Sequence, residues 1–257
     1  MLEPVQGKPR ETSGDPGGHT NRGVQFARNK EYAKAIDEFT EAIKAQPNDF
    51  KNYLNRGTAY KIVNKLDQAR ADFSKAIELN PKSLEGYTGR GQTELSAGDL
   101  NKALADFDKA LAIDSRETTA LRFRAYAYLQ KQDWNNALAD YNKLLGQLPN
   151  DEQALERRGF AYRSLGKYKE AAADFTKLVE QKPKYPEGYR RRANVYIVAN
   201  ENRKALEDLQ TLLKLKPGDP EAMANLKAVE QKLAPSPTPA SMRTPFRASP
   251  AQPTPRR

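Results

Sequence analysis

One eight-residue pattern occurs six times along this chain, each time 34 residues after its previous copy. The copies are HTNRGVQF (19–26), YLNRGTAY (53–60), YTGRGQTE (87–94), LRFRAYAY (121–128), LERRGFAY (155–162) and YRRRANVY (189–196). An arginine holds the fourth position of all six. A short fixed period predicts a row of small units that stack on one another, in place of a single globular core.

Each unit is predicted to contain two helices. Apolar residues recur at steps of three and four, as on one face of a helix, and a single break interrupts them. In the second repeat the helices run from about Lys51 to Val63 and from about Leu66 to Leu79, and Pro81 ends the second helix. Most break residues tolerate the left-handed backbone conformation that terminates a helix. The break residues are Lys30, Asn64, Gly98, Gln132, Gly166 and Asn200.

Small and large residues at fixed positions predict how the two helices meet. A glycine or alanine on the first helix and an alanine on the second allow a close approach. Larger side chains then fill the remaining space, and these are Phe39, Phe73, Phe107, Tyr141, Phe175 and Leu209. Because one helix pair cannot bury its apolar face alone, neighbouring units must complete the core. We interpret these residues as core and not as a cofactor site.

The composition removes several kinds of chemistry. There is no cysteine, which excludes disulfides, thiolate metal sites and cysteine nucleophiles. The single histidine, His19, cannot build a histidine-based metal site, and we expect it to pack like Tyr53 or Leu121 at the equivalent positions. The sequence has no phosphate-binding glycine loop and no nucleophile–histidine arrangement. We therefore predict no catalytic residue, no cofactor, no metal and no enzymatic activity.

The order of small residue, aromatic, alanine, aromatic and proline at this period resembles the tetratricopeptide repeat family. The segment NRGTAY resembles bacterial members in particular. The resemblance implies an all-α fold, a right-handed superhelical α-solenoid whose first helices line a concave groove. It divides the chain into six repeats, 16–49, 50–83, 84–117, 118–151, 152–185 and 186–217. Glu94, Ser115 and Leu209 depart from the family pattern and put no repeat in doubt.

Three further segments flank the repeats. Residues 1–15 are predicted to form a flexible N-terminal segment, and residues 218–233 resemble the capping helix of the family. Residues 234–257 are rich in proline and carry four arginines and no acid. This composition predicts a disordered basic tail. We interpret the tail as a spacer, and a docking or regulated segment is the alternative.

An acidic residue follows each repeated arginine by 16 residues. In an antiparallel helical hairpin, residues equally distant from the turn face each other, and Arg56 and Asp72 each lie eight residues from Asn64. We therefore predict a salt bridge inside every repeat, with a structural role. The pairs are Arg22–Glu38, Arg56–Asp72, Arg90–Asp106, Arg124–Asp140, Arg158–Asp174 and Arg192–Asp208.

The position just before each arginine faces the concave groove in the family, and here it varies between repeats. Asparagines at this position resemble those that grip a peptide backbone in some relatives. The later repeats add a basic and aromatic set that suits an extended peptide with carboxylates or phosphates. The alternative is an ordinary solvated charged face. The predicted groove residues are Asn21, Asn55, Arg122, Phe123, Tyr126, Arg157, Phe160, Arg163, Arg190, Arg191, Asn194 and Asn225.

These features favour a non-enzymatic scaffold or adaptor that mediates protein–protein interaction by binding a partner segment in its groove. The alternative is a binder of nucleic acid or anionic surfaces, because the net charge is +10 and the groove and tail are basic. No apolar run approaches the roughly 18 residues that a transmembrane helix needs. Residues 1–15 lack an apolar secretory core, so we expect a cytoplasmic protein, and a processed or exported form is the alternative. The identity of the partner and the oligomeric state stay open.

Overall fold

The computed structural model describes residues 16–234, and within this range thirteen α-helices follow one another without a β-strand. The first helices of the predicted repeats are α1 (Pro16–Arg28), α3 (Phe50–Ile62), α5 (Leu84–Ser96), α7 (Thr118–Gln130), α9 (Glu152–Ser164) and α11 (Pro186–Val198). The second helices are α2 (Tyr32–Ala45), α4 (Leu66–Leu79), α6 (Leu100–Ile113), α8 (Trp134–Gln147), α10 (Tyr168–Gln181) and α12 (Asn202–Leu215). Helix α13 (Pro220–Leu233) comes last.

The chain divides into two compact units, which meet in sequence at Leu178 and Val179 within α10. In the first unit, each helix from α1 to α8 contacts the next along the chain, up to the contact of α8 with α9. In the second unit, α11 contacts α12 and α12 contacts α13. Contacts between consecutive helices make this an all-α solenoid, as the sequence predicts. The predicted flexible segment 1–15 and the predicted tail from residue 235 onward lie outside the described residues.

The turn between the two helices of a repeat contains one residue with a positive φ angle. Gly98 and Gly166 adopt this conformation at 82° and 71°. Asn64, Asn200, Lys30 and Gln132 adopt it between 58° and 63°. The predicted break residues are therefore confirmed. A side chain with a Cβ atom is strained in this region, and the strain is least for asparagine among these residues, so Lys30 and Gln132 suit their places least well.

The core of each hairpin forms where a small residue meets a large ring. Phe107 is fully buried, and a Cβ atom added at Gly91 in the facing helix would lie 2.7 Å from its ring. The same kind of ring also reaches the following repeat. A Cβ atom added at Gly89 would lie 2.4 Å from the Phe73 ring, so this ring lies directly beneath the predicted groove position of the next repeat.

None of the helices in residues 16–234 is both long and apolar enough to cross a membrane.

Candidate functional site

The repeated arginines and acids form the six predicted salt bridges. In five of them the arginine donates from Nε to one carboxylate oxygen and from Nη2 to the other, at 2.6–2.9 Å. The five aspartates are only 2–6% exposed. These hydrogen bonds raise the pKa of the guanidinium groups, which stay charged. A forked contact fixes the orientation of the arginine as well as its place.

In four of these arginines, Arg56, Arg90, Arg124 and Arg158, the remaining Nη1 group contacts the preceding repeat, a bond that the sequence reasoning missed. Nη1 of Arg56 donates to Thr40 Oγ1 at 3.1 Å. The same bond recurs from Arg90 to Ser74, from Arg124 to Asp108 and from Arg158 to Asn142. Each acceptor lies 16 residues before its arginine. A side chain with an oxygen atom at this spacing is the sequence signal that could have predicted the contact. One arginine therefore joins three helices from two repeats.

The first repeat has a more open version of this bridge. Arg22 contacts only one oxygen of Glu38, at 3.1 Å, and His19 Nδ1 lies 2.7 Å from the same oxygen. Burial raises the pKa of Glu38, but hydrogen bonds from Arg22 and His19 outweigh it and hold the pKa below its ordinary value. Beyond the packing role expected of it, His19 therefore makes a polar contact with an acid.

A second kind of ion pair appears at Glu94, where the family pattern has an aromatic residue. The Glu94 side chain is 3% exposed and accepts hydrogen bonds from Arg70 Nε at 2.7 Å and Nη2 at 3.0 Å. Arg70 lies on α4 and Glu94 on α5, so the pair links two successive repeats. The charge pair replaces the ring that the other repeats place there.

The two predicted groove asparagines lie on the first helices of the first two repeats. Asn21 is exposed on α1 and Asn55 is partly exposed on α3. Within the described range neither side-chain amide has a hydrogen-bond partner. Both amides are therefore available to a ligand from outside.

Arg122, a predicted groove cation, lies in an ion pair. Its Nη1 and Nη2 atoms donate to the two carboxylate oxygens of Asp151 at 2.8 and 2.6 Å. Asp151 also caps α9 by accepting a hydrogen bond from the backbone N–H of Ala154. The hydrogen bonds from Arg122 are the main reason that the pKa of Asp151 is lowered. Arg122 therefore ties two repeats together, and its charge is largely neutralised.

Arg157 is placed differently. Its guanidinium lies over the ring of Tyr126, 4.1 Å from the ring centroid. No carboxylate lies within ion-pairing distance of Arg157 in residues 16–234. It lies on α9, one position before the bridging arginine of its repeat.

Aromatic rings flank Arg157 within the first unit. Phe160 is 43% exposed and meets Trp134 edge to face at 5.7 Å between ring centroids. Phe123 stacks on the buried Phe107 at 6.2 Å. We name Phe123, Tyr126, Arg157 and Phe160 the Arg157 cluster. Arg163 is exposed near the end of the same helix, α9. The sequence reasoning missed Trp134, which only the contact between helices reveals.

In the second unit, Arg190 is fully engaged by acids. It donates to both oxygens of Asp219 at 3.0 and 2.7 Å, and also contacts Glu187 and Glu221 at 2.9 Å each. The hydrogen bond from Arg190 is the main reason that the pKa of Asp219, the cap of α13, lies well below its usual range.

The other predicted residues of the second unit form a polar pair and a weak ion pair. Asn225 Nδ2 lies 3.4 Å from Asn194 Oδ1, and Arg191 Nε lies 3.7 Å from Glu187. The structure thus gathers Arg190, Arg191, Asn194 and Asn225 on α11 and α13.

Residues 16–234 contain no group of three or more side chains suited to hold a metal ion.

Comparisons with known proteins give one family and one fold. Family models described as tetratricopeptide repeat match residues 51–83, 84–117, 120–186 and 162–229, which together exceed half of the chain. No curated protein sequence matches the chain.

Three solved structures illustrate the likeness. YrrB, described as a TPR protein with an unusual peptide-binding site, is 24% identical, with a TM-score of 0.67 over 74% of this chain and 97% of that one. PilW, a type IV pilus biogenesis factor, is 19% identical, with a TM-score of 0.67 over 84% and 98%. A tetratricopeptide repeat protein from Parabacteroides merdae is 20% identical, with a TM-score of 0.59 over 86% of each chain. These identities indicate a shared fold.

Proposed function

The chain belongs to the tetratricopeptide repeat family, and from this premise we propose that it binds an extended partner segment that carries carboxylates or phosphates. Proteins with these repeats generally serve as non-enzymatic scaffolds for protein–protein interaction. The proposed binding surface lies in the first compact unit, on the face of α1, α3, α5, α7 and α9 that holds the residue before each bridging arginine. The proposal is that the partner segment is anionic, and it builds on the scaffold role of the family.

The observation that carries the proposal is the placement of Arg157. The other arginines of the repeats' first helices, apart from exposed Arg163 and Arg28, contact acids. Arg157 instead stacks on an aromatic ring, and no carboxylate in residues 16–234 accepts a hydrogen bond from it. An arginine offers five N–H donors and no acceptor, so an oxyanion from a partner is its natural complement. The exposed ring of Phe160 beside it supplies apolar surface.

The asparagines of the early repeats support the same function. Asn21 and Asn55 lie at the same repeat position as Arg157, and a side-chain amide can both donate to and accept from a peptide backbone. YrrB, a structural neighbour, is described as having a peptide-binding site. Backbone contacts in the early repeats and charge contacts in the later ones suit one extended segment.

The alternative, binding to nucleic acid or another anionic surface, rests on the net charge of +10. The ion pairs of Arg122 and Arg190 weaken it, because their charges are largely neutralised. A binder of nucleic acid would lose affinity steeply with salt, in proportion to the phosphates it contacts. Salt dependence therefore separates the two functions.

A pull-down from cell lysate with the full chain as bait tests the proposal. Wild type should recover a partner that Arg157→Glu loses, while Arg203→Glu should retain it. Arg203 is an exposed arginine on α12 and not among the predicted groove residues, so the control matches the change in charge. Equal recovery by all three proteins would contradict a role for the Arg157 cluster. Recovery of nucleic acid alone, with a steep salt dependence, would favour the alternative.

A further inference from the structure

Tyr141 carries a hydroxyl group at a position where four other repeats have phenylalanine and one has leucine. The residue is 0% exposed, and its hydroxyl has no hydrogen-bond partner at ordinary distance and angle among the described residues. A buried polar group without a partner destabilises the fold, and most buried polar groups in proteins are paired. The hydroxyl therefore has no evident structural purpose, since a phenylalanine would fill the same space.

The repeat geometry shows what lies above this ring. In the second and third repeats, the ring at this position lies beneath the groove residue of the next repeat, as Phe73 lies beneath Gly89. The equivalent groove residue above Tyr141 is Arg157, in the next repeat. Burial raises the pKa of Tyr141 to about 12, although the charge of Arg157, a hydrogen bond with Arg157 and the charge of Arg122 oppose the rise. The hydroxyl is therefore protonated at neutral pH and can donate a hydrogen bond.

Arg157 has only N–H donors, whereas the Tyr141 hydroxyl can both donate and accept, so the guanidinium can donate to the hydroxyl oxygen beside it. The other guanidinium donors have no carboxylate acceptor in residues 16–234. Stacking on Tyr126 holds the guanidinium in place. Such preorganised donors around a partly exposed cation match an oxyanion, and they match a neutral amide less well.

We propose that Arg157 and Tyr141, with Tyr126 as the stacking platform, form a subsite for an oxyanion, namely a carboxylate or phosphate on the partner segment. The guanidinium contacts the oxyanion. Tyr141 is a positioning residue whose buried hydroxyl orients the guanidinium from below. This inference rests on the proposed peptide-binding function and narrows it to one chemical group at one place.

The side chains around the subsite indicate which kind of residue should flank the oxyanion on the partner segment. Phe160 is 43% exposed next to Arg157 in the same helix, and Trp134 supports its ring. The residue beside the oxyanion on the partner should therefore be apolar. Trp134 is also the single tryptophan of the chain, so its fluorescence reports on this place alone.

The test uses the full chain and three capped octapeptides. In the first peptide, glutamate alternates with leucine and phenylalanine. Glutamine replaces each glutamate in the second peptide, and phosphoserine replaces each glutamate in the third. Titration followed by Trp134 fluorescence and by calorimetry should give about tenfold tighter binding of the glutamate or phosphoserine peptide than of the glutamine peptide. Whichever anionic peptide binds more tightly identifies the oxyanion as carboxylate or phosphate.

Three variants sharpen the test. Arg157→Gln should weaken binding of the preferred anionic peptide about tenfold. Tyr141→Phe should weaken it about threefold to fivefold, while binding of the glutamine peptide stays unchanged. Phenylalanine fills this position in four other repeats, so Tyr141→Phe should fold normally, which circular dichroism can verify. Arg203→Gln, with its arginine outside the predicted groove residues, should leave the affinity for all three peptides unchanged.

Two outcomes would overturn the inference. If the glutamine and anionic peptides bind equally well, and Tyr141→Phe changes neither, the oxyanion subsite is wrong while peptide binding stands. If no peptide binds at millimolar concentration, both the subsite and the peptide-binding function fail for this surface.

Discussion

Arg157 and Arg158 are neighbours in sequence, yet they are placed in opposite ways. Arg158 donates through a fork to the buried Asp174 and holds Asn142 of the preceding repeat. Arg157 lies on the Tyr126 ring and has no acid partner in residues 16–234. Adjacent residues point to different faces of a helix, about 100° apart. The comparison teaches that the repeated position fixes the scaffold, and it supports our proposal that Arg157, at the variable position beside it, binds a ligand.

The largest expected effect comes from removing a buried acid on the scaffold face. Asp140→Ala leaves the half-buried Arg124 without its forked partner, and we expect a loss of about 3–5 kcal/mol in the free energy of unfolding. Urea unfolding followed by circular dichroism measures it. The matched control is Asp108→Ala, because Asp108 contacts the same arginine but its side chain is 56% exposed. The control should cost less than about 1 kcal/mol, and equal losses would contradict the account.

A smaller loss is expected at the charge pair that replaces a ring. Glu94→Gln removes the charge that holds Arg70, and we expect about 1–2 kcal/mol, because Arg70 is 34% exposed and solvent screens it. The double variant Glu94→Tyr with Arg70→Met restores the aromatic residue of the other repeats and removes the unpaired cation. It should recover most of the loss in urea unfolding. A double variant less stable than Glu94→Gln would show that this position needs the ion pair.

Acid should weaken the link that Arg122 forms between repeats. The pKa of Asp151 lies below its ordinary value of 3.8 in the folded chain, mainly because of hydrogen bonds from Arg122. The stability that this pair contributes is therefore present above about pH 4 and is lost as the pH falls through the lower folded pKa.

The matched variant Asp151→Asn keeps a side chain that can cap α9 but cannot titrate. Thermal melts of both proteins from pH 6 downward should show a shallower decline for Asp151→Asn below pH 4. Parallel declines would mean that the Asp151 carboxylate has no share in the acid sensitivity.

How far the sequence predicts this molecule depends on whether a feature repeats. The helices, the turn residues and the Arg–acid bridges recur every 34 residues, so Arg56 and Asp72 could be paired from their spacing alone. The ion pair between Arg122 and Asp151 recurs only once, as that of Arg190 with Asp219, and its spacing of 29 residues reflects how one repeat meets the next. No single repeat contains that information.

The candidate site shows the same limit. Arg157 was predicted from its position, but its lack of an acid partner emerges only from three-dimensional contacts. Tyr141 was correctly predicted to be core, and the hydroxyl that sets it apart has a consequence only because Arg157 lies above it. The role of the predicted groove residues in binding stays a prediction.

The smallest expected effect is a gain at a strained turn. Gln132 has a φ angle of 58°. Two other repeats have a glycine at the same position, Gly98 and Gly166. Gln132→Gly should relieve the strain and raise the free energy of unfolding by about 0.5–1 kcal/mol. The control Asn64→Gly should change it by only a few tenths, since asparagine tolerates this conformation. A loss of stability in Gln132→Gly would show that the side chain contributes more than its backbone strain costs.

The most direct test of the central claim compares Arg157→Gln with Arg158→Gln in the same two assays, urea unfolding and binding of the preferred anionic peptide. We predict that Arg157→Gln unfolds like wild type but binds the peptide about tenfold more weakly. Arg158→Gln should lower the free energy of unfolding by about 3 kcal/mol. The reason is that Asp174, which is 3% exposed, stays buried without its partner. If both variants lose stability equally, or if Arg157→Gln binds as wild type does, the division between scaffold face and ligand face is wrong.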